Sequence, residues 1–204
     1  MYTSSFALLW ILDVLNMEEN LVELKIHDMS TTLYPADAYA LVLEEVDGGR
    51  KLPIIIGHLE AQAIKVMMVK YHPPRPLTHD LFPKITSRLG VMLTKVLIYK
   101  AKDGVFYSYL CFEKDGEEFK IDSRTSDAVA LALRYQCPIF TTEEIMESEH
   151  LHDLGEGKFS VPITSVSLQM LEEALQSAIE KEEYEQASQL RDEIRKRKEE
   201  QNIE

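Results

Sequence analysis

Residues 91–122 read VMLTKVLIYKAKDGVFYSYLCFEKDGEEFKID, and this stretch indicates the fold class. It contains two Asp-Gly pairs, at 103–104 and 115–116, that separate three runs rich in apolar residues. Asp-Gly between such runs is the strongest short-range signal for a tight hairpin turn. The stretch therefore predicts three consecutive strands, over residues 91–101, 105–113 and 118–122.

Further strands are predicted nearer the N-terminus. Residues 20–28 alternate apolar and polar side chains, as a half-buried strand does. The runs 39–46 and 52–56 flank the turn Asp-Gly-Gly-Arg at 47–50, which predicts a hairpin.

Helices are predicted at irregular intervals between these strands. Gly57 opens a helix that extends to about Tyr71, with Ala61, Ile64, Met68 and Tyr71 as its apolar stripe. Further helices are predicted at 78–89, 126–135 and 142–148, with a short apolar step at 139–140. This order favours an α+β domain with an antiparallel or mixed sheet and packed helices.

The C-terminal part has a different pattern. Residues 155–165 contain two glycines and a proline and show no clear period, which predicts a linker. Leucine and alanine then recur every three or four residues in two runs, which predicts an α-helical hairpin over 166–204. Two short amphipathic helices cannot bury both apolar faces alone. We therefore expect this tail to bind a protein partner or a second copy, giving a homo-oligomer.

The N-terminal segment is interpreted as an extension of a domain at 17–154. Residues 6–15 are apolar apart from Asp13, but a bilayer span needs about 20 residues, so we expect no membrane segment. The flanks of a signal peptide are missing as well. Because Met17 opens a sequence typical of a domain start, residues 1–16 are expected to be either non-native or dispensable.

The charge of the 204-residue chain is uneven. It has 22 Lys and Arg against 35 Asp and Glu, a net charge of −13 that would repel a polyanion if spread evenly. Residues 61–102, however, hold eight basic residues with Asp80 as the one acid. That asymmetry hints at an anionic partner, unless folding scatters the side chains over several faces. Cys111 and Cys137 show no CxxC spacing, which predicts buried reduced thiols in a cytoplasmic protein.

Three segments together resemble the bifunctional nuclease family over about residues 19–150. They are LPIIIGHLEAQAI at 52–64, RPLTHDL at 75–81 and IDSRTSDAVALALR at 121–134. The tail resembles the UVR motif, a helical hairpin found in excision-repair nuclease subunits. The resemblance implies a nuclease of broad specificity that hydrolyses phosphodiester bonds in DNA and RNA. With this net charge, it would bind its nucleic-acid substrate weakly and locally.

The candidate site residues lie on the shared segments. Phosphodiester hydrolysis needs an activated water, charge stabilisation at the phosphate and usually a divalent metal, here Mg²⁺ or Mn²⁺. The catalytic candidates are Glu60, His79, Asp80 and Asp127, with Asp80 and Asp127 also as metal ligands. The substrate-binding candidates are Arg75, Thr78, Arg124, Ser126 and Arg134. If the three helices at 57, 78 and 126 begin close together, their N-termini form an anion site.

Most of these residues also fit a purely local role. Glu60 fits a capping box at its helix start, and Asp80 fits an N-cap. Asp127 lies in a first turn, where the helix dipole favours an acid, and Arg134 can cap a C-terminus. His79 is the hardest to explain by local structure. These readings keep an alternative open, a non-catalytic adaptor or regulatory protein that binds an anionic ligand or protein partner.

Overall fold

The computed structural model describes residues 21–31, 38–153, 159–160 and 168–201. Seven strands form the main sheet: β1 Leu21–Thr31, β2 Ala38–Glu45, β3 Lys51–Gly57, β4 Val91–Lys102, β5 Val105–Lys114, β6 Glu117–Arg124 and β7 Ile139–Thr142. Two short strands, β8 His152–Asp153 and β9 Phe159–Ser160, pair separately. The helices are α1 His58–Met68, α2 Thr78–Arg88, α3 Thr125–Tyr135, α4 Glu143–Glu149, α5 Leu168–Glu180 and α6 Tyr184–Gln201.

The main sheet is mixed, which confirms the predicted α+β class. Its strand order is β3-β2-β1-β7-β4-β5-β6. All neighbours pair antiparallel except β4 and β7, which run parallel. The sheet thus joins two antiparallel groups, β1 to β3 and β4 to β6, through the single strand β7.

The two predicted Asp-Gly turns are present. Asp103 and Gly104 have φ values of 53° and 76°, and Asp115 and Gly116 have values of 53° and 84°. Positive φ at both central residues is characteristic of type I′ turns, whose twist matches that of the flanking strands. These turns fix the register of β4, β5 and β6.

Strand β7 is the main departure from the predictions, which placed only a short apolar step at 139–140. Helix α3 ends at Gln136, which has a φ of 55°, and Pro138 prevents its continuation. The chain then enters the centre of the sheet, where Ile139 pairs with both Leu24 and Val96. Four residues are too few to show the alternating pattern of a strand. This strand forms because it pairs with β1 on one side and β4 on the other.

Helix α1 is shorter than predicted. It ends at Met68 because Lys70 adopts a left-handed conformation with a φ of 53°. Of the predicted apolar stripe, Ala61 and Ile64 are buried. Met68 and Tyr71 are 38% and 58% exposed, so the predicted continuation of the stripe to Tyr71 is wrong.

Helix α3 lies in the centre of the main core. Its residues 128–132 are all at most 3% exposed, since both α1 and the sheet pack against it. The largest fully buried side chains of this core are Leu41, Leu43, Leu52, Ile64, Ile98 and Met146. Burying each such side chain contributes roughly 1.5–3 kcal/mol. The core therefore holds α3, and with it the start of α3, in a fixed position.

The predicted helical hairpin is formed by α5 and α6. Leu171, Ala178, Ala187, Leu190 and Ile194 make a small apolar cluster between the two helices. Of the predicted linker, residues 159–160 form β9, and the rest of it lies outside the described residues, as do residues 1–16. In the described part, no helix is long and apolar enough to cross a membrane.

Candidate functional site

Three helices carry an acidic residue at the same position of their first turn. Glu60, Asp80 and Asp127 are each the third residue of α1, α2 and α3 respectively. An acid at this position interacts favourably with the positive end of the helix dipole. Asp80 was predicted as an N-cap, but the helix begins earlier, and its carboxylate accepts a hydrogen bond from the Leu77 N–H at 2.8 Å instead.

The three helix starts are joined by a group that we call the helix-start cluster: Glu60, His79, Arg124 and Asp127. Arg124 Nε donates to Asp127 Oδ2 at 2.8 Å, and Arg124 Nη1 donates to Glu60 Oε1 at 2.9 Å. His79 Nε2 lies 3.1 Å from Asp127 Oδ1. The three helix N-termini, whose meeting was only a condition for the predicted anion site, lie close together, and these four side chains connect them.

The cluster is charged and open to solvent on one side. Burial alone would raise the pKa of Asp127, but hydrogen bonds from Arg124 and His79 outweigh burial and lower that pKa. The hydrogen bond that Arg124 donates to Asp127 raises the pKa of Arg124, and its hydrogen bond to Glu60 adds a smaller increase. The Arg124 side chain is 66% exposed, whereas that of His79 is 20% exposed. Arg124 is thus the member of the cluster most accessible to a ligand.

A cavity of about 250 Å³ lies beside the cluster. It is lined by the end of β3, the turn between β4 and β5, and the start of α3, including Gly57, Glu60, Arg124 and Ser126. A Cβ at Gly57 would lie 2.5 Å from Glu60 Oε2, so a larger residue there would displace the carboxylate from Arg124. The glycine allows the close approach that holds Glu60 at the cavity edge.

Ser108 and Thr125 form a buried hydroxyl pair next to this cavity that the sequence analysis did not identify. Their hydroxyl groups are 2.7 Å apart, and the residues are 0% and 3% exposed. Thr125 also lines the cavity. The signal in the sequence was a serine at an inward position of an apolar strand, where a polar group needs a partner.

Asp80 contacts a different arginine from Asp127. Arg134 Nε donates to Asp80 Oδ1 at 2.6 Å, and Arg134 Nη1 donates to the carbonyls of Ala63 and Ala130. The Arg134 side chain is 3% exposed, and its Nη2 has no hydrogen-bond partner among the described residues. This Asp80–Arg134 pair connects α2 to α1 and α3.

The other predicted substrate-binding residues lie at different distances from the cluster. Ser126 is 8% exposed and lines the cavity. Thr78 is the first residue of α2, directly before His79, and is exposed. Arg75 is exposed in the connection before α2, and within the described part of the chain no hydrogen bond or ion pair joins it to the cluster.

The two predicted metal ligands do not form a preformed cation site. Both oxygens of Asp127 contact His79 and Arg124, and both oxygens of Asp80 contact Arg134 and the Leu77 N–H. Among the residues that the structure describes, no group of three or more His, Cys, Asp or Glu is placed to hold a metal. The arrangement as it stands does not fit a bound divalent ion.

Comparison with known proteins identifies the family. Residues 41–153, which include the whole helix-start cluster, match the model of the bifunctional nuclease domain. The chain belongs to the bifunctional nuclease domain family. Residues 166–200, which include α5 and most of α6, match the UvrB/uvrC motif. Both resemblances noted in the sequence are therefore confirmed.

Relatives of this bifunctional nuclease domain occur in bacteria and plants. An uncharacterized protein of Mycobacterium tuberculosis is 41% identical over 112 residues, which is 55% of this chain and 66% of that protein. Bifunctional nuclease 1 and bifunctional nuclease 2 of Arabidopsis thaliana are 27% and 25% identical over 127 and 125 residues. These matches cover 39% and 38% of the plant proteins. The chain thus spans less than two thirds of each of these relatives.

Proposed function

We propose that this domain is a nuclease that hydrolyses phosphodiester bonds in both DNA and RNA, and that the helix-start cluster is its active site. The observation that carries the proposal is the contact of His79 with Asp127 directly beside the exposed Arg124. These residues lie in the segment that matches the bifunctional nuclease domain. The names of the two plant relatives, bifunctional nuclease 1 and 2, support the assignment to a nuclease.

In the proposed mechanism, His79 is the general base. Asp127 Oδ1 accepts the Nε2–H of His79, which leaves Nδ1 of the neutral ring as the proton acceptor. The carboxylate fixes this tautomer and stabilises the imidazolium that forms when Nδ1 takes a proton from the attacking water. The role requires a carboxylate that stays ionised, which agrees with the lowered pKa of Asp127.

Arg124 is the proposed phosphate ligand. Its guanidinium is held at two nitrogens by Asp127 and Glu60, and most of its side chain faces solvent. A phosphate oxygen would replace one carboxylate as the partner of a planar, permanently charged donor. The backbone amides at Thr125 and Ser126, in the first turn of α3, would add to the binding. Few cationic groups take part, so affinity should change little with salt.

The expected dependence on Mg²⁺ or Mn²⁺ stays a prediction. A divalent ion would supply charge neutralisation at the phosphate. The roles proposed for His79, Asp127 and Arg124 follow from the contacts of these residues with one another. Titration with EDTA followed by addition of either metal would measure the dependence directly.

The test is cleavage of single-stranded RNA and DNA by the full chain and its variants. His79→Ala should lower the rate by about a hundredfold or more, as loss of a general base does. His27→Ala is the matched control, since His27 contacts Glu44 on the opposite part of the sheet. The variants must keep the circular dichroism spectrum of the parent chain. Unchanged cleavage by folded His79→Ala would refute the site.

The hairpin α5–α6 is proposed to bind a protein partner or a second copy. Its apolar cluster is small, and Ile179 and Tyr184 remain 49% and 68% exposed. Deleting residues 166–204 should leave the domain folded and the cleavage rate unchanged, while complexes that depend on the tail are lost. A deletion that unfolds the domain would contradict this division.

We also propose a cytoplasmic location. Cys137 is in no disulfide, and burial raises the pKa of its thiol to about 11. A half-buried thiol with a raised pKa is poorly reactive, as expected for a structural cysteine in a reducing compartment.

A further inference from the structure

Strand β6 is one end of the main sheet, and its residues face solvent. Residues 117–122 and Arg124 are all exposed. Two of them are large and apolar, Phe119 at 40% and Ile121 at 48% exposure. A long edge strand with free backbone groups and apolar side chains is a template for pairing with another strand.

Among the described residues, the opposite edge of the sheet is protected and the edge at β6 is not. Strand β3 carries Pro53, which has no N–H to offer a further strand. In addition, the Leu151 N–H donates to the Lys51 carbonyl at 2.7 Å, so another part of the chain contacts that edge. Over its eight described residues, β6 contains no proline. In the described part of the chain, β6 is therefore the edge that is open to pairing with a further strand.

The sequence of β6 is complementary to itself in one antiparallel register. In a pair related by a two-fold axis perpendicular to the sheet, an axis at Ile121 places Lys120 opposite Asp122 of the second copy. The same register places Glu118 opposite Arg124, whose guanidinium already contacts Asp127 and Glu60 of its own chain. The two Lys120–Asp122 contacts therefore carry the charge complementarity of this register. Ile121 faces its own equivalent on the axis.

Neighbouring registers lack this property. An axis at Lys120 would place two lysines face to face and Glu118 opposite Asp122. An axis at Asp122 would place two aspartates face to face and Lys120 opposite Arg124. Like charges directly opposite each other destabilise a strand pair, so the charges select the axis at Ile121. Such local attraction is needed, because each chain carries a net charge of −13 and two copies repel each other at long range.

The apolar residues of β6 adjoin a second exposed apolar surface. Phe119 stacks on Phe112, Phe112 contacts Tyr135 edge to face, and the Tyr135 hydroxyl lies 2.6 Å from Thr86 Oγ1 of α2. Helix α2 has no buried residue and exposes an apolar stripe made of Leu81, Phe82, Ile85 and Leu89. A second copy paired through β6 would place its own Phe119 and its own α2 stripe on the same side of the joined sheet.

From the charge register and the unprotected edge, we infer that two copies of this chain form a dimer through antiparallel pairing of β6 about a two-fold axis at Ile121. The pairing joins the two seven-stranded sheets into one continuous sheet. This surface is separate from the α5–α6 hairpin, and the inference does not depend on the proposed nuclease activity.

The register is tested by a disulfide at the axis in the full chain. Residues directly opposite each other have Cβ atoms about 4.5–5.5 Å apart, close to the range that a disulfide can bridge. Ile121→Cys should therefore cross-link two chains under mild oxidation. Phe119→Cys is the matched control, because its equivalent in the second copy lies four residues along the strand, at about 13 Å. No cross-link with Ile121→Cys, or equal cross-linking of both variants, would overturn the inference.

The charge pairing is tested by reversal. Lys120→Glu or Asp122→Lys alone creates two like-charge contacts per dimer and should raise the dimer Kd about tenfold or more in sedimentation equilibrium. The double variant Lys120→Glu/Asp122→Lys restores opposite charges and should return the Kd to that of the parent chain. A parent chain that stays monomeric would overturn the inference. So would a dimer whose Kd none of these changes affects, since that result would place the interface away from β6.

Discussion

Two arginine–carboxylate pairs of this domain have the same chemistry and different surroundings. Arg124 contacts Asp127 with 66% of its side chain exposed, whereas Arg134 contacts Asp80 with 3% exposed. The neighbouring residues His79 and Asp80 belong to the first and the second pair respectively. An exposed pair can exchange a partner for a ligand, while breaking a buried pair leaves a charge without compensation. Burial therefore separates the candidate catalytic pair from the structural one.

The largest expected difference between the pairs is in stability. Arg134→Met should lower the free energy of unfolding by about 3–5 kcal/mol, because it removes the cation that contacts Asp80 and the three hydrogen bonds that join α2 to α1 and α3. Arg124→Met is the matched control and should cost less than about 1 kcal/mol, as for exposed pairs. Urea unfolding of both variants measures the difference. Equal losses would remove the distinction between the two pairs.

The next effect is on activity and should be confined to the exposed pair. Asp127→Asn keeps the shape of the side chain but removes the charge that orients His79, so cleavage should fall by about a hundredfold. Thermal unfolding should show that this variant stays folded under the assay conditions. A variant that cleaves RNA at the parent rate would exclude Asp127 from catalysis.

Acid should weaken both pairs at the same time. Burial alone would raise the pKa values of Asp80 and Asp127, but their hydrogen-bond partners lower both below the ordinary value of 3.8. The stabilisation is therefore fully present above pH 3.8 and is lost as the pH falls through the lower folded values. Urea midpoints between pH 2 and pH 7 should show this loss, with a smaller slope in Asp80→Asn. An identical slope in that variant would show that Asp80 does not contribute.

The smallest effect is expected at the edge of the helix-start cluster. Glu60→Gln removes one of the two carboxylates that hold Arg124, which should change the free energy of unfolding by less than about 1 kcal/mol. Because it also frees Arg124 Nη1 for a phosphate, substrate binding should become tighter and more dependent on salt. Fluorescence anisotropy with labelled RNA at two salt concentrations checks both effects. Weaker binding would instead make Glu60 part of the substrate site.

The sequence predicted the local structure well. The Asp-Gly turns at 103–104 and 115–116 and the acidic first turns of the helices depend on neighbouring residues, so short-range rules were sufficient. The sequence did not predict that the three helix starts meet; it indicated only that they would form an anion site if they did. The contact of His79 with Asp127, 48 residues apart, needed the tertiary structure to bring them together.

What the sequence did not predict depends on distant contacts. Asp80 was a candidate for metal binding, but no short-range pattern reveals its bond to Arg134, 54 residues away. Strand β7 was missed because its four residues are held by β1 and β4, which lie far away along the chain. The early end of α1 comes from the left-handed conformation of Lys70, which its residue type does not favour.

The central position of β7 has a consequence for how this protein forms during synthesis. The groups β1 to β3 and β4 to β6 can each pair from local contacts while the chain leaves the ribosome. They join into one sheet only after residues 139–142 have emerged, because β7 alone lies between them. Until then, the inner edges of both groups are unpaired and open to aggregation. A ribosome that stalls when β6 has left the exit tunnel but residues 139–142 are still inside it would therefore hold two unfinished half-sheets, and chaperone binding should be strongest at that point.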